Sequence, residues 1–375
     1  MAVCFIIYLM KSFYSRSLFI TAAVLTLVGL LFLMSVSSVA GEETFGDAFY
    51  FLKRQLLFGL LPGLILAYLA YRIPLSFWKK AALALLILNL ILLVLVFVPG
   101  FRLLENGAQR WLKIGPLSFQ PSEFLKITIL LFLASWLSSK SKHEINSFKK
   151  TILPFWVLIF LAGILVILEP ATGNFVVIVA SALVVLMVAG MTIRNLGISL
   201  ALLAMIMALV VVSSPYRYER VLHFLNPSQD VSGLNKTYQS RQSLISVGSG
   251  GLLGVGFGKS QQKYNYLPES YSDLIFAIWA EESGFIGVFG VILAFLFLAF
   301  LGLGIAKKSG DNFSAYLAVG LTSWIVGQAF LNMAVSCSLL PIIGLPLPFF
   351  SAGGSILLVT LLSVGLLLNI AKNRL

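Results

Sequence analysis

Long apolar runs separated by short polar breaks dominate the chain. A helix needs about 20 apolar residues to cross a hydrocarbon core of about 30 Å. About ten runs meet that requirement, over residues 17–39, 55–73, 81–99, 122–138, 152–168, 175–191, 196–213, 274–305, 313–337 and 354–371. The first turns of the eighth run read as irregular. The first run is too long for a typical signal peptide and is weakly followed by cleavage chemistry. Ser37, Ser38, Val39 and Ala40 supply the small residues of that weaker alternative. The pattern predicts an all-α polytopic membrane protein of about ten transmembrane helices, with one long loop, about 213–272, between helices 7 and 8. Composition agrees: 59% of residues are hydrophobic, 11% are charged, and mean hydropathy is +0.99. Soluble globular chains carry about 25% charged residues, so soluble, disordered and fibrous classes are excluded. No Pro-rich or Ser-rich linker and no internal repeat divides the chain, so residues 1–375 are expected to form one membrane domain.

The charges orient it. Cytoplasmic loops carry the excess of Lys and Arg, and a model with both termini cytoplasmic places fourteen of the 26 basic residues inside. These are Lys11, Arg16, Arg72, Lys79, Lys80, Lys140, Lys142, Lys149, Lys150, Arg194, Lys307, Lys308, Lys372 and Arg374. Six lie in short outer segments, Lys53, Arg54, Arg102, Arg110, Lys113 and Lys126, and six in the long loop. Of the 14 acidic residues only Glu144 and Asp311 fall inside. Basic residues in short outer loops run against the orientation rule, which points to an anionic ligand on the outer face.

Four outer segments concentrate the candidate chemistry. In 106–126, Gly115, Pro116 and Pro121 predict a broken interfacial stretch, and Glu123 and Lys126 share one helix face. They read either as a structural ion pair or as a pair in which Lys126 meets an anion. The run Gly248–Gly258 before Lys259 and Ser260 lacks phosphate-loop spacing, because Leu253 stands where glycine is required. A segment whose backbone approaches a ligand or a neighbouring helix is the alternative. Asp273 stands where a polar loop enters the membrane, with Glu281 and Glu282 about two turns further on. A carboxylate at a membrane boundary marks a functional site by default, and burial against a nearby cation tunes a general base. A helix cap by Ser272 or Asp273 is the competing reading. The fourth segment, Leu339–Ser355, is too rich in proline and glycine for regular helix, so it is expected to close a polar cleft. Cys4 and Cys337 form no disulfide framework, and the lone His143 and His223 suggest no metal cluster.

Several motifs in order give the chain a resemblance: Phe51-Leu52-Lys53-Arg54-Gln55, Asn106-Gly107-Ala108-Gln109-Arg110-Trp111, Gln120-Pro121-Ser122-Glu123, Tyr216-Arg217 with Arg220, Gly248-Ser249-Gly250-Gly251 with Gly254, Tyr266 to Glu282, and Gly344-Leu345-Pro346-Leu347-Pro348-Phe349. The sequence resembles, nearly end to end, the SEDS family (shape, elongation, division and sporulation) of bacterial peptidoglycan polymerases. The stretch Gly254–Lys263 looks more like the cell-division member than the elongation member. Two motifs depart from the family pattern: Glu-Pro-Asp-x-Gly-Thr reads Glu169-Pro170-Ala171-Thr172-Gly173-Asn174, and Ser-Tyr-Gly-Gly-Ser-Ser reads Ser351-Ala352-Gly353-Gly354-Ser355-Ile356.

The resemblance implies a peptidoglycan glycosyltransferase that polymerises lipid II at the outer leaflet of the bacterial cytoplasmic membrane, at the division septum. Asp273 would be the catalytic base. Substrate-binding candidates are Lys53, Arg54, Glu123, Lys126, Arg217, Arg220 and Glu282, with Glu123 orienting Lys126. Mg2+ or another divalent cation is a candidate at the diphosphate, and no other cofactor or resident metal site is expected. The implied partners are lipid II, a class B penicillin-binding transpeptidase and other division proteins, with no nucleic acid. A lipid II flippase, the elongation-type polymerase and a noncatalytic division scaffold are the alternatives.

Overall fold

The computed structural model describes residues 13–100, 102–105, 108–114, 117–225 and 236–374. Lys11, Cys4, the Asn106-Gly107 and Gly115-Pro116 steps and the middle of the long loop, 226–235, lie outside the described residues. The membrane helices, with one short extramembrane helix between them, are α1 (Phe13–Phe45), α2 (Tyr50–Arg72), α3 (Leu75–Leu95), α4 (Pro121–Ser138), the short α5 (Lys142–Ile145), α6 (Phe148–Leu168), α7 (Thr172–Val188) and α8 (Ile193–Val212). Two further short helices follow, α9 (Pro215–Leu225) and α10 (Lys236–Ser249), and then α11 (Ile275–Lys308), α12 (Asn312–Ser336) and α13 (Gly354–Arg374). Among the described residues nine helices are long and apolar enough to cross a membrane, and α7, at 17 residues, is a shorter tenth.

Three expectations shift. The third span runs over 75–95 rather than 81–99: Pro74 occupies its N-cap position, and Lys79 and Lys80 sit within the helix, whose first turns extend beyond the apolar run. The membrane part is helical as expected, and a connection outside the spans adds one small sheet. Residues expected to be merely broken form an antiparallel three-stranded sheet, β1 (Arg102–Glu105), β2 (Ala108–Ile114) and β3 (Leu117–Phe119), in the order β1-β2-β3. Leu103 pairs with Trp111, and Leu112 with Phe119, with a bulge between Leu103 and Leu104. Finally, the long loop carries two helices; α9 is an amphipathic helix with no buried residue.

One end of the bundle is tied together by polar contacts between its connections. Arg54 donates to Ser118 Oγ at 3.2 Å, Arg110 to Glu169 O at 3.0 Å, the Gln120 amide to Ser355 Oγ at 2.9 Å and Arg220 to Ile342 O at 2.8 Å. At the other end Asn369 caps α2 through Ala70 O and Ile73 O, both at 2.6 Å. There Lys308 lies over Tyr14 and Lys372 over Tyr71, at 4.5 and 4.8 Å, as aromatic and basic residues do at a membrane interface.

The glycine run does approach a helix. α11 is broken at Gly284, which holds φ +61 and ψ −166, a conformation closed to most side chains. The segment after α10 fills the break. Val255 N and Gly256 N donate to the carbonyls of Glu281 and Glu282, and Phe285 N and Ile286 N donate back to Gly251 O and Leu252 O, at 2.9–3.2 Å. Backbone groups freed by the kink are therefore satisfied by another strand of chain, as buried amides require.

Candidate functional site

A cleft of about 490 Å3 opens at the sheet-bearing end of the bundle. It is lined by α2, β2, the starts of α4 and α7, the end of α8, α9, the turn before α11 and the segment before α13. Four guanidinium groups, Arg54, Arg110, Arg217 and Arg220, and three carboxylates, Glu123, Glu269 and Asp273, are among its lining residues, with Phe51, Phe58, Trp111 and Tyr271 as aromatic walls.

Asp273 sits just ahead of the span that begins at Ile275 and is half-buried. It does not cap that helix. The N-cap position is Leu274, with no side-chain cap bond, and the Ser272 hydroxyl instead donates to Glu269 at 2.5 Å. The capping alternative is thereby removed. Gly344, at φ +68, lies against the carboxylate, and a Cβ there would come within 3.3 Å of Asp273 Oδ2. Burial, with Glu269 adding, pushes the Asp273 carboxyl up to about 6, while Arg110 and Arg220 pull it down. A carboxylate at that value is ionised at neutral pH and still basic enough to take a proton.

The structure brings Arg54, Glu123, Arg217 and Arg220 to this cleft and keeps three other candidates off its wall. Lys53 lines an adjoining hollow of about 380 Å3 with Arg54, Lys113 and Ser118, and pairs with Asp47 at 2.7 Å. Lys126 is fully buried; its ammonium donates to both Glu123 oxygens at 2.9–3.0 Å and to Gln328 Oε1 at 2.6 Å. Asn174 Nδ2 adds a bond to Glu123 Oε1 at 2.9 Å. The pair therefore forms the floor, and Lys126 acts on the cleft only by fixing Glu123. Glu282 faces the glycine segment, where it accepts from Gly258 N at 2.8 Å and Ser260 N at 3.2 Å, with Lys263 at 4.0 Å. Glu281 accepts from the Ser260 hydroxyl at 2.5 Å and Gln261 N at 2.9 Å. These two carboxylates clamp a turn.

Sequence reasoning passed over Arg110 and Glu269 as site residues. Arg110 is held at the cleft by its bonds to Glu169 O and to Pro170 O, the latter at 2.9 Å; its signal was its place among the outer basic residues that defy orientation. The signal for Glu269 was its place in the Tyr266 to Glu282 motif, four residues before Asp273. Just past α6, Glu169 is buried and its carboxyl is raised to about 8, mainly by burial, against Ser122 and Arg110.

The family model for the FtsW, RodA and SpoVE cell cycle proteins matches residues 15–375. The chain belongs to this family. It is 39% identical over 354 residues to stage V sporulation protein E of Bacillus subtilis, covering 94% of this chain and 95% of that one. It is 40% identical over 358 residues to the probable peptidoglycan glycosyltransferase FtsW of Thioalkalivibrio sulfidiphilus, covering 94% and 88%. Among solved structures it matches a chain of a peptidoglycan synthase complex that coordinates polymerization and crosslinking, with a TM-score of 0.78 and 29% identity over 95% of this chain and 97% of that one. Thermus thermophilus RodA matches with a TM-score of 0.69 and 28% identity, covering 95% and 96%. As a member of this family with many apolar helices, the chain is a multi-pass membrane protein.

Proposed function

We propose that the chain is an inverting peptidoglycan glycosyltransferase that polymerises lipid II at the outer leaflet of the cytoplasmic membrane, for septal wall synthesis. The observation that carries this reading is Asp273: a half-buried carboxylate, not used as a cap, in a cleft with four arginines. The names of the relatives supply the polymer, and the positive-inside count supports placing the cleft end outside and both termini in the cytoplasm.

The substrate chemistry matches the cleft. Asp273 accepts the proton from the acceptor's GlcNAc 4-hydroxyl as that oxygen attacks the donor's MurNAc anomeric carbon. The bond from that carbon to the lipid diphosphate breaks, and the diphosphate leaves with the electron pair. A single displacement converts an α-linked donor into a β-1,4 product. Charge developing on the departing diphosphate is met by Arg54, Arg110, Arg217 and Arg220, guanidinium groups already oriented by carbonyl and hydroxyl partners. Glu123, held by Lys126 and Asn174, gives the cleft a fixed, charge-compensated floor.

A divalent cation such as Mg2+ remains part of the proposal only at the diphosphate. Among the described residues no three His, Cys, Asp or Glu side chains cluster to hold one, so such an ion would be held chiefly by the diphosphate itself. The partner proposed is a class B penicillin-binding transpeptidase, with other division proteins; the similarity to a synthase-complex chain supports it. The test is incubation of the purified protein, alone and with that transpeptidase, with labelled lipid II. Glycan strands are expected from the wild type and none from Asp273→Asn. Strands from that variant would refute the base assignment.

A further inference from the structure

The main chain at Asp273 is fixed from two directions. Its own carbonyl accepts from Asn332 Nδ2 at 2.7 Å, and the same amide donates to Leu345 O at 2.6 Å. The Ser272 carbonyl accepts from Ser351 Oγ at 2.6 Å, and the Tyr271 carbonyl from Ala352 N at 2.9 Å. Ser351 Oγ also accepts from Leu347 N at 2.7 Å, so one buried hydroxyl closes its own turn and grips the residue before the base.

That turn is itself held by a residue far away in sequence. Gln55 is buried, donates from Nε2 to Ser351 O at 3.3 Å and accepts at Oε1 from Gly353 N at 2.9 Å. Both ends of its amide are therefore spent on the turn that grips Ser272. Its neighbour Arg54 lines the cleft. Immediately after Gln55, α2 winds as a π-helix over Leu56–Leu60; such turns gather at functional sites. A leucine or methionine would fill the same volume. Only an amide makes both bonds, so packing alone does not explain the side chain.

We propose that Gln55 is a positioning residue for the general base, acting through the Ser351 turn to fix Asp273 relative to Arg54 on the same helix as Gln55. The inference rests on the reading of Asp273 as base. Engagement of an anionic diphosphate by Arg54 and placement of the carboxylate are thereby mechanically linked across α2, the turn and the start of α11.

The experiment uses the full-length protein in detergent and the variants Gln55→Leu, Ser351→Ala and Ser351→Thr. With lipid II as substrate, Gln55→Leu and Ser351→Ala are expected to lower kcat on the order of 10–100-fold, as small misplacements of a reacting group do, with KM changed less than about twofold. Ser351→Thr retains the hydroxyl and most of the rate. The acidic limb of the rate–pH profile moves in the two damaged variants, because the carboxyl shifts relative to Arg110 and Arg220. The double variant loses no more than the worse single one. Hydrogen exchange is the second arm and needs no activity: amides of 269–276 and 347–353 exchange faster in Gln55→Leu than in the wild type. If the wild type makes no polymer, the functional reading fails while exchange still decides the positioning. Wild-type exchange in Gln55→Leu, an unmoved pH limb, or losses that multiply in the double variant would each overturn it. Should Gln55→Leu not fold, the contrast between Ser351→Ala and Ser351→Thr carries the same decision.

Discussion

Asp273 occupies a position where its own ionisation works against the fold. Burial and Glu269 raise its carboxyl from 3.8 to about 6, with Arg110 and Arg220 limiting the rise. A shift of roughly two units corresponds to about 3 kcal/mol between the protonation states. The sign follows from linkage. Below about pH 4 the group is protonated in folded and unfolded chains alike, and nothing is lost. As the pH rises from about 4 to 6 the unfolded chain releases the proton and the native state does not, so stability falls. Above about 6 the full penalty is present. Asp273→Asn keeps the shape and removes the charge. It is therefore expected to melt several degrees higher than the wild type at pH 7 while making no polymer, and the difference should close as the pH approaches 4. Thermal unfolding followed by tryptophan fluorescence, in detergent and in steps from pH 4 to 7.5, reads this directly. In parallel, wild-type polymerisation should fall about tenfold per pH unit below about 6. Equal or lower melting of the variant at pH 7, or a gap that ignores pH, would show that Asp273 is an ordinary structural carboxylate.

Glu282→Ala strips the acceptor from the Gly258 and Ser260 amides and the partner from Lys263. It should cost about 3–5 kcal/mol, the usual loss on breaking a buried pair, appearing as lost folded yield and melting temperature with KM for lipid II unchanged in what remains. Lys126→Met should be as damaging alone, because it leaves Glu123 buried without its cation; adding Glu123→Gln should restore much of the melting temperature but not the rate. Arg220→Ala should lower kcat/KM about ten- to a hundredfold, the worth of one or two charge-assisted hydrogen bonds, and Arg220→Lys should rescue only part of it because the fork is lost. Gly344→Ala places a methyl 3.3 Å from Asp273 Oδ2 at a φ of +68, so polymerisation should drop with little change in substrate affinity measured by titration.

The membrane architecture was legible because its signal is length and apolarity, and the backbone can cross lipid only as helix or closed barrel. What escaped was decided by contacts distant in sequence. The strands within 102–119 carry no strong alternation, and β2 and β3 are tied to the cleft by long-range contacts, Arg110 to Glu169 O and Arg54 to Ser118 Oγ. Asp273 was readable from its place at the boundary, and Arg54 as a basic residue in a short outer segment where orientation gives it no purpose, whereas Arg217 and Arg220, in the long loop, were candidates only through the family resemblance. Lys126 and Glu282 were not separable from these by sequence. A lysine three residues after a glutamate has the same pattern whether it faces a ligand or a buried carboxylate, and only the Gln328 amide, 202 positions away, shows which. The same holds for Gln55, whose partners lie at 351 and 353.

The floor of the cleft also bears on the flippase alternative. A protein that carries a diphosphate between leaflets needs polar groups along the whole path. Here the polar wall stops at Lys126, whose ammonium lies 5.3 Å from the ring centre of the buried Trp324. Further along α4 the buried residues Ile127, Ile129, Leu130, Leu131 and Leu133 follow, and Gly320 packs on Leu130 and Val185. Among the described residues, the hydroxyls buried at this depth bond carbonyls of their own helices: Ser181 to Val177 O, Thr322 to Ala318 O and Ser363 to Val359 O, at 2.7–2.9 Å. They have little left to offer a passing phosphate, and bare diphosphate in such a layer would meet the desolvation penalty of an isolated charge. A one-sided cleft is what a polymerase needs and what a flippase cannot use. Proteoliposomes containing the protein should therefore polymerise lipid II presented in the cleft-facing leaflet while leaving lipid II in the opposite leaflet where it is. Transfer of labelled lipid II between leaflets, at a rate unaffected by Asp273→Asn, would show instead that the layer opens and that the carboxylate serves something other than the glycosyl transfer.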